Sequence, residues 1–106
     1  MVLEAPCLLR RAAIDALDRA GIPWRIAFTS ASLAGTWAAV TAGLGVSVRT
    51  PLGLPAGVCA LTAREAGLPA LPTLGLALHR AEAEPPPAVA RLAEILVATL
   101  SPSLPA

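Results

Sequence analysis

From Ile26 to Val48 the chain carries no charged residue, yet hydroxyls and glycines interrupt that run at regular places. Such a run has two outlets: a helix across a bilayer of about 30 Å, or elements buried on both faces inside a protein. Thr29, Ser30, Ser32, Gly35, Gly43 and Gly45 favour the second. Trp24–Phe28 is a short apolar run with Arg25 near its start, which predicts a strand buried on both faces. Thr29, Ser30 and Ser32 stand where a helix should begin, with Ser32 as the N-cap. Leu33–Ala42 follows as an uncharged helix, Gly43 as its left-handed stop and Gly45–Val48 as the next strand. Two buried strands joined by a buried helix make a right-handed parallel crossover.

The flanking sequence extends the same architecture. Leu8–Ala20 predicts a half-exposed helix with Leu9, Ala13, Leu17 and Ala20 on its inner stripe. Arg11, Asp15 and Arg19 sit at i, i+4 spacing and predict two ion pairs of about 0.3 kcal/mol each. Gly21 closes this helix and Pro23 bars its continuation. Pro51–Gly57 reads as a loop, Val58–Leu61 as a brief strand, Thr62–Leu71 as a surface connection and Leu74–His79 as another strand. Two acids and three prolines make a hinge of Glu82–Pro87. Val89, Leu92, Leu96 and Leu100 line one side of a last helix, which Ser101-Pro102 stops. Its apolar face needs a partner. The expected division is 1–84, which includes the Leu74–His79 strand, and 85–106, which holds the hinge, the last helix and the tail.

The run FTSASLAGTWAAVTAGLGVSVRTP, with Ala42-Gly43-Leu44-Gly45 at its centre and Val46–Pro51 at its end, resembles the effector-binding domain of LysR-type transcriptional regulators. The likeness extends more loosely over nearly the whole chain, as the second effector subdomain. It implies an α/β fold: a three-layer, Rossmann-like subdomain of the type II periplasmic-binding-protein fold, with a mostly parallel sheet and an antiparallel edge strand. Met1–Ala5 would be its first strand, Leu74–His79 the returning strand and Ala88–Leu100 the terminal helix. In the family that helix packs on the first effector subdomain. Here it would fold back on its own sheet or be exchanged with a second copy. The likeness also implies a cytoplasmic homo-oligomer that senses a small metabolite. DNA would be a partner only through a winged helix-turn-helix outside this sequence. Family domains pair antiparallel, which would place Arg10, Arg11, Trp24 and Arg25 on a dimer face; solvated surface charge is the alternative for the arginines.

The candidate site is the helix start at Ser32. Its first N–H groups lack intrahelical partners and carry partial positive charge, which suits a small carboxylate or similar anion. The hydroxyls of Thr29, Ser30 and Ser32 would orient that effector, or would serve only the turn and the cap. Thr50 and Pro51 lie past a strand end, where clefts form in open α/β sheets, or make a plain turn. Gly43 and Gly45 are structural: the first caps the helix and the second lets helix and strand pack closely. They do not form a dinucleotide fingerprint, because Val48 stands at the third glycine's place.

Other chemistries find little support. His79 is the only histidine, and no Ser- or Cys-centred motif gives it a catalytic partner. No catalytic residue, metal site or cofactor is expected. Cys7 and Cys59 form no CxxC pair and read as buried thiols, with a disulfide as the alternative. A net charge of +1 from scattered groups provides no nucleic-acid face. Two rival readings stay open: a lobe of a solute-binding or other small-molecule-binding protein without DNA regulation, and a small flavodoxin-like enzyme. A leader or lipid anchor in the gene would favour the first; the second needs a polar constellation that the sequence lacks.

Overall fold

Parallel pairing of two short strands organises the first part of the chain. The computed structural model describes residues 1–3 and 6–104. β1 (Val2–Leu3) lies beside β2 (Thr29–Ser30), with Val2 opposite Thr29 and Leu3 opposite Ser30. The Val2 N–H donates to the Phe28 carbonyl at 3.1 Å. α1 (Leu8–Arg19) joins the two strands, and α2 (Leu33–Thr41) leaves β2 and packs against both. A parallel pair needs such a crossover, and α1 supplies it. Glu4 and Ala5, the end of the expected first strand, lie outside the described residues.

Register explains where the expected strands fail. The strand predicted at Trp24–Phe28 forms only beyond its end, at Thr29–Ser30. The register pairs Val2 with Thr29, and residues 24–27 are exposed and join no ladder among the described residues. Gly45–Val48 is likewise not a ladder strand. It is held on β1's other edge by the Met1 ammonium, which donates to the Val46 carbonyl, and by Ser47 Oγ, which donates to the Met1 carbonyl at 2.8 Å. Successive N–H groups of a strand point to opposite sides, so Met1 and Val2 reach different neighbours. Burial pushes the pKa of the Met1 ammonium down.

Small residues make the core of this part. Ala13 and Ala16 of α1, Thr36 and Ala39 of α2, and Met1 are buried. Thr36 is fully enclosed, and its Oγ1 lies 3.5 Å from the Ser32 carbonyl. The inner stripe of α1 therefore includes Ala16, while Ala20, placed on it by spacing, is an exposed C-cap. Only one of the two predicted ion pairs forms, Arg11–Asp15 at 3.9 Å. Arg19 Nε donates instead to the Asp15 backbone carbonyl at 3.3 Å. Both cysteines are free thiols and neither is buried: Cys7 is half-buried and Cys59 exposed.

Past Pro51 the chain turns rather than pairs. The strand expected at Val58–Leu61 is absent; Val58 N–H donates to the Pro55 carbonyl, a turn. The surface connection contains a short helix, α3 (Ala63–Ala66), with a full capping box. Thr62 Oγ1 accepts from the Glu65 N–H at 3.2 Å, and Glu65 Oε2 accepts from the Thr62 N–H at 2.9 Å. The signature Thr-x-x-Glu was there to be read.

The chain divides into two units, Met1–Thr73 and Leu74–Ala106. In the second, Leu74–His79 is exposed throughout and forms no strand, because no strand among the described residues of this unit lies beside it. No antiparallel edge is therefore present among the described residues. α4 (Pro87–Leu100) begins at Pro87, one residue before the expected start, where proline's missing N–H costs nothing. A 3₁₀ turn, Ser101–Ser103, ends it. Arg91 and Glu94 pair on its surface at 3.1 Å. Only Ala93 of this helix is buried; Val89, Leu92, Leu96 and Leu100 are all exposed.

Candidate functional site

The turn between β2 and α2 is held by two serines in sequence. Ser30 Oγ donates to the Ser32 carbonyl at 2.9 Å and accepts from the Ser32 N–H at 3.1 Å. Ser32 then caps the helix, its Oγ accepting from the Gly35 N–H at 3.2 Å. A Cβ on Gly35 would collide with Ser30 Oγ, so glycine is what lets the serine lie over the first helical turn. Both serine hydroxyls are thus engaged by the backbone.

Three groups at this edge are not engaged. Thr29, the first residue of β2, is exposed, and its hydroxyl makes no hydrogen bond among the described residues. The N–H groups of Leu33 and Ala34, the first two of α2, also have no partner there. No acidic residue occupies the first turn of α2, so its partial positive end is not neutralised from within. The arrangement is a preformed edge of two amides and one hydroxyl that could accept an anionic group.

The other expected residues fall as follows. Past Ser47 the chain reaches Thr50 and Pro51, both exposed. Gly43 takes φ +77°, and the Leu44 N–H donates to the Ala39 carbonyl at 3.1 Å, so it ends α2 as a left-handed stop. Gly45 needs another account than close packing. A Cβ there would meet only Met1 Cγ at 4.0 Å, an ordinary contact, so its φ of +157° is what calls for glycine. His79 is exposed. Among the described residues, no group of three or more His, Cys, Asp or Glu side chains could hold a metal ion. No helix among them is long and apolar enough to cross a membrane.

On the α1 side of the first unit lies a feature the sequence did not disclose. A groove of about 360 Å³ runs between α1 and the segments 22–27, 44–49 and 68–71. Trp24, Arg10 and Arg25 of the expected dimer face line it, and Arg49 joins them from the far side of the sequence. Trp24 Nε1 donates to Asp18 Oδ1 at 2.7 Å. No periodicity could have found this groove, because its walls are distant in sequence.

The family model described as the LysR substrate binding domain matches residues 1–101. The chain belongs to that family. Two curated relatives of this LysR substrate-binding chain are transcriptional regulators. It is 40% identical over 72 residues to the HTH-type transcriptional regulator PecT of Dickeya dadantii (strain 3937), covering 68% of this chain and 22% of that protein. It is 39% identical over 89 residues to the HTH-type transcriptional regulator DgdR of Burkholderia cepacia, covering 84% of this chain and 30% of that one. The chain thus spans less than a third of the length of these relatives. Family membership implies a periplasmic-binding-protein-like α/β fold, in accord with the parallel pair and its helices.

Proposed function

We propose that this chain is the second lobe of the effector-binding domain of a LysR-type transcriptional regulator, and that it senses a small anionic metabolite. The match to the LysR substrate binding domain over residues 1–101 carries this reading. The β2–α2 turn supports it with unpaired amides at Leu33 and Ala34 and a free hydroxyl on Thr29. In this reading Thr29 contacts the effector, Ser30 and Ser32 shape the turn, and Thr50 and Pro51 border the cleft. The first lobe, outside this sequence, supplies the facing wall. A ligand bound better by one inter-lobe angle than another shifts the population, and the oligomer passes that bias to DNA-binding segments elsewhere.

The same reading completes the fold. Leu74–His79 becomes the antiparallel edge strand of a three-layer subdomain, and the exposed apolar face of α4 finds its cover on the first lobe. A homodimer pairs through α1 and the 24–28 segment, with Arg10, Arg11, Trp24 and Arg25 at the contact. The protein works in the cytoplasm, without cofactor and without catalysis.

Sequencing the gene upstream of the Met1 codon tests the proposal. An in-frame winged helix-turn-helix followed by a long helix is the expected result. An in-frame leader or lipid anchor in its place would overturn DNA regulation and favour a solute-binding lobe.

A further inference from the structure

We draw no further inference here: the strongest candidate, the exposed apolar face of α4 formed by Val89, Leu92, Leu96 and Leu100, has nothing among the described residues to show what covers it.

Discussion

α2 and α4 are both apolar helices, and they meet opposite fates. α2 has no charged residue, yet its ends are closed by its own neighbourhood: Ser32 at the start and Gly43 at the stop. It packs on both strands and buries Thr36 and Ala39. α4 is longer and more evenly patterned, but buries only Ala93. Caps are local bonds spanning a few residues, so any piece containing them keeps them. Burial needs a second surface, and the described residues of the second unit contain only a 3₁₀ turn besides α4. A helical pattern states what a face requires, not where the requirement is met.

Core substitutions should break this contrast most strongly. Ala39→Leu adds bulk at a buried position and should cost about 1–3 kcal/mol, read as a lowered urea midpoint at unchanged m. Next comes the stop: Gly43→Ala places a side chain at φ +77° and should cost about 1–2 kcal/mol in the same assay. Ser32→Ala removes the cap of α2 and should cost about 1 kcal/mol. Leu92→Ala in α4, exposed in this chain, should move the midpoint by no more than about 0.5 kcal/mol. A loss at Leu92 equal to that at Ala39 would show that α4 has found a partner and would end the contrast.

The smallest effect concerns α3. The bonds that Thr62 makes to Glu65 hold its carboxyl below the usual carboxylate range. A depressed folded pKa stabilises the cap above the unfolded value and loses that support as pH falls through the lowered one. A carbon-detected NMR titration should find Glu65 below a free glutamate, and Thr62→Ala should return it towards the ordinary value.

Much of this was legible because it is local. Ser32 as cap, Gly43 as stop, and the spans of α1, α2 and α4 follow from side-chain chemistry within one turn of the residue concerned. The capping box at Thr62 and Glu65 is equally local, but the helix it opens is only four residues long and shows no periodic pattern. The strands were not legible in the same way. Trp24–Phe28 and Leu74–His79 have the right composition, but a strand exists only beside another, and neither has a neighbouring strand along its length among the described residues. At the candidate edge, residue types located the hydroxyls. Only the structure separated Ser30 and Ser32, which are engaged, from Thr29, which is not. The groove with Arg25 and Arg49 depends on segments far apart in sequence and left no local sign.

Residue-resolved amide exchange of the chain tests the central claim, a self-capped α2 whose first two amides stay open. The account predicts slow exchange at Gly35 and from Thr36 to Leu44, fast exchange at Leu33 and Ala34, and faster exchange along α4 than along α2. Protection at Leu33 and Ala34 equal to that at Gly35, or an α4 that exchanges more slowly than α2, would contradict it.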